Sequence, residues 1–427
     1  MQADLSKKDE QFRKFSLNGP MWRVVLYVGF PLALYESLNQ LFKILDTMMA
    51  SHIGASAVSA VAYLSQINMM ISAVGTGLAV GASIKVSQAY GAGDFMLVKK
   101  RVSTMFAMCG ALGIAILLVL VPFTPEFLRL MNTPEEFIAD GSTYFRLELF
   151  GMVITFFNNV YIAIERARGN SKRILILNTA VIVVKLGLTA WFVYGLDGGI
   201  NMISCATIIS QSFLLLAACI NMNQKGNAFG FSLRAISIKK EVICPMLTLS
   251  FPVIVERIAF AVGKVIVNSM STVYGSWTVG ALGISNNIGG ITTNPQHGFQ
   301  EGGSYLIRQK LGACRPERAL LALRWVLDID MLIGLVIMTA SLLCLNQLAG
   351  LFAGDNAEFA EMIKQIYRFE AVGAIPLGVN AAVMALLYGF GKTRVTLVMN
   401  FCRVFLFRVP VLWALQQFTD LGNVSAG

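Results

Sequence analysis

Long apolar segments separated by short polar ones fill most of this chain. A helix needs about 20 residues to cross the ~30 Å hydrocarbon core of a bilayer. Eleven segments reach that length, and they are numbered 1 to 11 here in chain order: residues 23–50, 57–90, 101–123, 141–165, 174–196, 200–222, 243–272, 278–311, 319–345, 362–388 and 395–417. The pattern therefore predicts an all-α polytopic membrane protein.

The first segment carries a polar stripe. Glu36, Asn39, Lys43 and Asp46 fall within roughly 80° of one another on a helix that turns 100° per residue. A charge near the centre of a spanning helix costs about 2.5–3.5 kcal/mol on insertion scales, so it should face protein or water. We predict that the stripe lines a pathway. The alternative is that Lys43 and Asp46 only neutralise each other.

The chain also repeats itself. Matches at a spacing of 221 or 222 residues include Phe30-Pro31 with Phe251-Pro252, Lys43 with Lys264, Gly91-Ala92 with Gly312-Ala313, Glu148 with Glu370, Asn178 with Asn400 and Trp191 with Trp413. So long a series indicates duplication of a six-helix unit. Because six is even, the two copies insert in the same orientation and form parallel-related lobes.

The repeat divides the chain into two lobes. Residues 1–222 are predicted to form the N-terminal lobe, residues 223–240 a cytoplasmic linker, and residues 241–427 the C-terminal lobe with segments 7–11. Segment 6 has no repeat mate, because the sequence stops where a twelfth helix should begin. We interpret this as a twelve-helix plan whose last helix is missing from the sequence given.

Composition agrees with a membrane protein and predicts its orientation. Hydrophobic residues make up 56% of the 427 and charged residues only 14%, too little charge to cover a soluble surface. Lysine and arginine are concentrated in alternate loops, such as 99–101, 166–173 and 308–318, so the net charge of +10 reflects topology and not nucleic-acid binding. The positive-inside rule predicts a cytoplasmic N-terminus in the cell membrane.

Several features together resemble the MATE (multidrug and toxic compound extrusion) transporters. They are the six-plus-six helix plan, Pro31, the turn Ile44-Leu45-Asp46-Thr47, and the glycine-spaced second helices of each half, which run into Gln88-Ala89-Tyr90-Gly91-Ala92-Gly93 and Gln309-Lys310-Leu311-Gly312-Ala313. The resemblance covers nearly the whole chain. It implies a secondary antiporter that exports small organic compounds, driven by inward H⁺ or Na⁺, with lobes that alternate between inward- and outward-open states. It implies no cofactor beyond the coupling ion and no obligate protein partner.

The resemblance also implies roles for individual residues. Asp46 matches the carboxylate of the first helix that the family uses for ion coupling, and Asn178 matches the asparagine that opens the fifth helix in many members. Pro31 matches the proline around which the first helix bends. The sequence departs from the family at Ile182, where many members have a second carboxylate, and at Leu377, where one branch has a carboxylate.

Charges in other segments extend the predicted cavity. Segment 7 places Arg257 and Lys264 on one face, with Glu256 beside them, and we expect these residues to face the gap between the lobes. Segment 8 is unusually polar and contains a proline that permits bending. His297 in that segment either relays protons or is a hydrogen-bonded wall residue. The predicted substrate cavity comprises Glu36, Asn39, Lys43, Lys185, Glu256, Arg257, Lys264, His297 and Glu301, with ion coupling at Asp46 and Asn178 and hinges at Pro31 and Pro295.

Other patterns indicate architecture. Gly77-xxx-Gly81 and Gly298-xxx-Gly302 predict close helix packing. The repeat-related pairs Arg146/Glu148 and Arg368/Glu370 are predicted to anchor paired helices, with an external gate as the alternative. Seven cysteines, mostly in apolar segments, indicate neither a disulfide framework nor a metal site.

A flippase remains open as an alternative function, whereas an enzyme does not. The bases Lys43, Lys185, Arg257 and Lys264 would also suit a flippase of anionic, lipid-linked cell-wall or polysaccharide precursors, since such proteins share this fold superfamily. The chain shows no Ser-His-Asp set, metal cluster or phosphate loop, and its two histidines lie far apart, so an enzyme is not expected. Among the charged residues expected between the two lobes, the acids equal the bases in number, which leaves the charge of the substrate undecided. The acids are Glu36, Asp46, Glu256 and Glu301, and the bases are Lys43, Lys185, Arg257 and Lys264.

Overall fold

The structure, a computed structural model, describes residues 7–50, 55–130, 135–196, 198–224, 227–271, 273, 275–353 and 356–418. Regular structure in these residues is helical. The helices are α1 (Lys7–Asn18), α2 (Met21–Ala50), α3 (Ala55–Ala92), α4 (Phe95–Leu120), α5 (Thr124–Leu130), α6 (Glu135–Arg168), α7 (Ser171–Ala190), α8 (Ile200–Met222), α9 (Lys240–Ser271), α10 (Ser276–Gly312), α11 (Pro316–Leu343), α12 (Leu345–Ala353), α13 (Ala357–Val372), α14 (Ala374–Gly389), α15 (Thr393–Phe401) and α16 (Val409–Phe418). Segments of π-helix, Trp191–Gly195 and Cys402–Arg408, extend α7 and join α15 to α16.

The long helices correspond to the predicted spans, and the all-α membrane fold is confirmed. In the described residues, eight helices are long and apolar enough to cross a membrane, or nine if the bent pair α13–α14 is one span. The helices α2 and α10, which carry the predicted polar stripes, are long enough at 30 and 37 residues but are more polar.

One predicted span is two helices. Residues 362–388 were expected to form a single helix, but α13 and α14 meet at Gly373 with a bend of 45°. Pro376 lies in the first turn of α14 and has no N–H to donate to the carbonyl of Val372. The missing hydrogen bond and the bulk of the ring account for the break.

The duplication is visible in the backbone. Gly93 and Cys314, which are 221 residues apart, both have positive φ angles, of 83° and 55°. Gly169 and Gly391, which are 222 apart, have φ angles of 80° and 71°. Glycine adopts this left-handed conformation freely, whereas it costs other residues about 1–2 kcal/mol. The two halves therefore turn at the same points, and the second half does so once with a cysteine.

The two lobes, α2–α8 and α9–α16, meet through crossed helix pairs. The helix α3 of the first lobe packs on α9 of the second, and α10 packs on α2. A Cβ on Gly81 would lie 2.3 Å from Ser250 Cα, and a Cβ on Gly298 would lie 2.3 Å from the backbone nitrogen of Ala33. The close packing predicted from the glycine motifs is thus confirmed, and it occurs between the lobes.

The short helix α1 contacts both lobes at one end of the bundle. Asp9 accepts two hydrogen bonds from Arg168 of the first lobe, at 2.7 and 2.6 Å. Towards the second lobe, Arg315 donates to the carbonyl of Leu17 at 2.9 Å, and Lys310 donates to Ser16 Oγ at 2.8 Å. This helix was not predicted, because its sequence is too charged to resemble a span.

Segment 227–239 lies against the first lobe. Phe229 is buried with its ring centroid 5.0 Å from that of Tyr90, and the backbone N–H of Ser237 donates to Thr104 Oγ1 at 3.1 Å. This segment falls within the linker expected at residues 223–240, whose boundaries, like those of the lobes, stay a prediction.

Candidate functional site

The lobes touch backbone to backbone at the end that contains α1. A Cβ on Gly91, at the end of α3, would lie 2.2 Å from the carbonyl oxygen of Gln309 in α10. The repeat-related contact is equally tight, since a Cβ on Gly312 would lie 2.3 Å from the carbonyl oxygen of Gln88. Only glycine permits this approach at either position. This end of the bundle is therefore closed, and the closure depends on both glycines.

An arginine of the second lobe reinforces the closure. Arg308 is buried and donates from Nη1 to Ser83 Oγ of α3 at 3.2 Å. Its other bonds stay in its own lobe, to Ser304 Oγ at 2.6 Å and to the Tyr388 carbonyl at 3.3 Å. The guanidinium thus joins α3, α10 and α14, and the three oxygens that accept its hydrogen bonds are neutral.

A small cavity lies between the lobes next to this contact. Its volume is about 50 Å³, and both lobes contribute to its walls. Its polar lining includes Ser83, Arg166, Arg257, Glu301, Arg308 and Tyr388. Such a space between two lobes is where ligand sites of transporters are expected.

An ion pair crosses this cavity. Arg166 Nη2 at the end of α6 lies 2.6 Å from Glu301 Oε2 of α10, and the two side chains are 19% and 26% exposed. Glu36 of α2 interacts electrostatically with both of these residues and with Arg257 of α9. Two acids and two bases from four helices thus lie together, and Arg308 adds a third base to the same lining. Such a group can exchange internal partners for a charged ligand or a proton.

His297 lies on the wall of the same region. It is exposed, and its Nδ1 is 3.3 Å from Gln300 Oε1, one turn further along α10. It interacts electrostatically with Glu301, Arg257 and Arg403. The structure therefore brings together four of the predicted cavity residues: Glu36, Arg257, His297 and Glu301.

Glu256 lies elsewhere. We expected it in the gap, but its carboxylate is turned into the second lobe, where only 8% of the residue is exposed. It accepts hydrogen bonds from Tyr388 Oη at 2.8 Å, Thr396 Oγ1 at 2.7 Å and Asn400 Nδ2 at 2.7 Å. Three neutral donors hold this acid within its own lobe. Neighbouring positions of a helix point about 100° apart, so Arg257 can face the cavity while Glu256 does not.

The two lobes have diverged at this place. Asn178 is the repeat mate of Asn400, but it is buried and donates to the carbonyl of Ile174 at 2.8 Å. The repeat mate of Glu256 is Tyr35, so the first lobe has no carboxylate there. The expected ion-coupling role of Asn178 stays a prediction.

The remaining predicted residues have the following positions. The side chains of Lys43 and Asp46 lie outside the described part of α2. Asn39 and Lys264 are exposed, and Lys185 is half-buried. Pro31 and Pro295 are buried within the uninterrupted helices α2 and α10, so neither breaks its helix and hinge motion at them stays a prediction. In the residues that the structure describes, no group of three or more His, Cys, Asp or Glu side chains could hold a metal ion.

Arg166 lines the cavity but was not among the predicted site residues. Its charge was assigned to the basic loops, because it lies at the end of α6. One signal was present: Arg166 is the repeat mate of Tyr388, the donor to Glu256. Paired positions that carry polar side chains in both halves are therefore candidates even near a helix end.

The helix-anchoring role predicted for Glu148 and Glu370 is confirmed. Glu148 accepts a hydrogen bond from Ser204 of α8 at 2.7 Å, and its repeat mate Glu370 accepts one from Ser285 of α10. Each carboxylate thus joins its helix to a neighbour in its own lobe.

The family model MatE matches residues 31–191 and 252–414. The two matches begin at residues 31 and 252, which are 221 apart, so the model fits once in each lobe. The chain belongs to the MATE family. MATE family members are transporters and not enzymes.

Curated relatives agree with this assignment. This MATE protein is 24% identical over 409 residues to "Probable multidrug resistance protein YoeA" of Bacillus subtilis (strain 168), covering 94% of this chain and 88% of the relative. It is 22% identical over 422 residues to "Multidrug export protein MepA" of Staphylococcus aureus (strain NCTC 8325 / PS 47), covering 98% and 92%. These names do not favour the flippase alternative.

Solved structures share the fold. A crystal structure of a MATE protein in complex with MaL6 matches with a TM-score of 0.92 at 20% identity, covering 99% of this chain and 94% of the other. The outward-facing conformation of a multidrug resistance MATE family transporter of the MOP superfamily matches with a TM-score of 0.91 at 21% identity, covering 99% and 93%.

Proposed function

We propose that this MATE protein exports small organic compounds from the cytoplasm in exchange for inward H⁺ or Na⁺. The observation that carries the proposal is the group of ionisable side chains from both lobes, Arg166, Glu301, Glu36 and Arg257, beside a contact between the lobes that only glycine permits. Separation of the lobes at alternate ends would expose the charged group first to one side of the membrane and then to the other.

The closed end is proposed to face the cytoplasm. Arg168, Arg308 and Arg315 lie at this end, and basic residues accumulate in cytoplasmic loops. The N-terminal helix α1 lies there as well, which agrees with a cytoplasmic N-terminus. In this interpretation the structure is the state closed to the cytoplasm, in the cell membrane and surrounded by lipid.

The charge balance of the cavity shapes the proposed substrate range. An organic cation would compete with Arg166 and Arg257 for the carboxylates, and an organic anion would compete with Glu36 and Glu301 for the arginines. With Arg308 the cavity holds three bases and two acids, so ion-pair partners of either sign are present and neither sign of substrate is excluded. The multidrug names of YoeA and MepA support a broad range of small organic compounds.

Transport in inverted membrane vesicles tests the proposal. A panel of cationic and anionic dyes is offered while ΔpH or ΔNa⁺ is imposed separately. We expect uptake of at least one dye to collapse when one gradient is removed, and that gradient identifies the coupling ion. Uptake that ignores both gradients, or movement of lipid-linked precursors without dye transport, would contradict the proposal.

Asp46→Asn tests the coupling role implied for the first helix. We expect gradient-driven efflux to be abolished while the amount of protein in the membrane stays unchanged, because an amide cannot bind and release the proton or bind the ion as a carboxylate does. Asp328→Asn is the matched control, since Asp328 is an exposed carboxylate of α11 paired with Arg324. Undiminished efflux in Asp46→Asn would remove Asp46 from the mechanism.

A further inference from the structure

Asp330 is a buried acid that the transport site described above does not use. It lies near the middle of α11, with no exposed surface. Neither of its carboxyl oxygens has a hydrogen-bond partner. Its neighbour Asp328, two residues earlier, is 54% exposed and pairs with Arg324. Asp330 is thus the acid that α11 turns into the protein.

Gln296 of α10 connects Asp330 to the break between α13 and α14. Its Nε2 donates to the backbone carbonyl of Asp330 at 3.0 Å and to that of Ala374 at 3.1 Å. Ala374 is the first residue of α14, directly after the 45° bend. The amide oxygen Oε1 of Gln296 is also buried and has no donor. The two Asp330 carboxyl oxygens and Gln296 Oε1 are therefore three buried acceptor oxygens without a partner, on two residues that a side chain–backbone hydrogen bond joins.

The surroundings leave little space for water. A Cβ on Gly378 of α14 would lie 2.8 Å from Gln296 Nε2 and 2.9 Å from the Asp330 carbonyl oxygen. A Cβ on Gly334, one turn along α11, would lie 2.9 Å from the same Nε2. Both glycines allow the three helices to close around the glutamine.

In the part of the chain that the structure describes, no charged side chain forms an ion pair with the Asp330 carboxyl, which is buried away from water. Ionisable groups described on the helices packed against α11 have other partners. Glu36 on α2 and His297 and Glu301 on α10 belong to the interlobe cavity. Arg308 on α10 bonds Ser83 and Ser304, and Lys310 bonds Ser16. On α13, Tyr367 bonds Ser341, Glu370 bonds Ser285 and Lys364 pairs with Glu361, and Tyr388 on α14 bonds Glu256. A buried carboxylate ion with neither donor nor counter-ion is strongly unfavourable. A proton removes that charge.

We propose that Asp330 is a proton-binding site of the second lobe. It is protonated in the state in which the lobes are closed at the end of the bundle that contains α1 and Gly91. Its O–H supplies the donor that Gln296 Oε1 lacks, which satisfies two of the unpaired oxygens with one hydrogen bond. The ligand is a proton taken from water and returned to water, so no bond between heavier atoms changes.

This inference rests on the proposed antiport and assigns it a second proton carrier. Gln296 follows Pro295 and holds α10, α11 and the start of α14 together. Loss of the proton would leave an ion beside this junction, and the junction must then open to admit water. Deprotonation is therefore tied to movement of α14 against α10, and protonation to the closed junction.

Infrared difference spectroscopy of the purified protein tests the site without requiring transport. We expect a carbonyl band of a protonated carboxyl group at neutral pH, which is lost in Asp330→Asn and kept in Asp328→Asn. Asparagine preserves the shape of Asp330 and an N–H donor towards Gln296. Thermal unfolding of the variant verifies that it is folded. Absence of the band in the folded wild-type protein, or a band that responds to Na⁺ instead of pH, would overturn the assignment.

Transport provides the second readout. Asp330→Asn is expected to lower ΔpH-driven dye accumulation at least about tenfold while dye exchange without a gradient continues. Wild-type accumulation in the variant would overturn the role of Asp330 in coupling. If the wild-type protein ignores both ΔpH and ΔNa⁺, the antiport proposal fails, whereas a protein that responds to ΔNa⁺ alone overturns only the coupling role of Asp330. In either case the infrared band still decides whether Asp330 binds a proton.

Discussion

Alanine at Gly91 or Gly312 is expected to reduce transport at least about tenfold. The added Cβ would lie 2.2 Å from the Gln309 carbonyl oxygen in the first variant and 2.3 Å from that of Gln88 in the second. Both oxygens belong to helix backbones, so no change of rotamer relieves the clash. Overpacking of this kind costs about 1–3 kcal/mol, and each 1.4 kcal/mol changes a two-state equilibrium tenfold. The closed state should therefore lose population to the state open at this end.

Dye efflux from cells and drug binding by purified protein measure this effect together. The variants should still fold and bind dye, since the clash affects only the contact between lobes. Gly187→Ala is the matched control, because a Cβ at Gly187 meets nothing within 4 Å. Wild-type efflux in both Gly91→Ala and Gly312→Ala would show that this close contact is not needed for transport.

Loss of Arg166 is expected to have the second large effect. Arg166→Gln leaves Glu301 without its ion-pair partner, close to the second acid Glu36. An ionised group that loses its hydrogen-bonded partner is destabilised by about 1–3 kcal/mol, less where water reaches it. Transport should fall in this variant and also in Glu301→Gln, which removes the other half of the same ion pair.

The exchange Arg166→Glu with Glu301→Arg should recover part of the lost transport, because it restores the pair in reversed order. A double-mutant cycle on dye efflux rates measures the coupling between the two sites. The same cycle at Arg324 and Asp328 is the control, since that pair is 4.0 Å apart with side chains 79% and 54% exposed. Equal coupling in both cycles would mean that the interlobe pair has no special role.

The fold could be predicted because its signals extend over long stretches of sequence. Hydrophobic length defines spans, and a match repeated over more than a hundred residues defines a duplication. The break at Gly373 was missed because hydropathy does not distinguish one helix from two consecutive ones, although Pro376 was visible. The helix α1 was missed because its pairing of Asp9 with Arg168 is a contact over 159 residues.

The cavity was predictable only in part, for a related reason. Charges near the middle of a span, such as Glu36 and Arg257, stand out in any sequence. Arg166 did not, because it ends its helix, and only the approach of the lobes places it beside Glu301. The donors to Glu256 lie 132 to 144 residues away in sequence, so its orientation depends on which helices pack against α9 and not on its own periodicity.

During transport the lobes are expected to close against each other at the end of the bundle that contains α1 and Gly91, and to open there. Spin labels at exposed positions of the two lobes near that end, Lys100 in α4 and Glu317 in α11, report it in a background without the seven native cysteines. Electron–electron distance measurements should show a short and a long population, with the balance shifted by the coupling ion and with the short one lost in Gly91→Ala. A single distance that neither the ion nor Gly91→Ala changes would contradict the account.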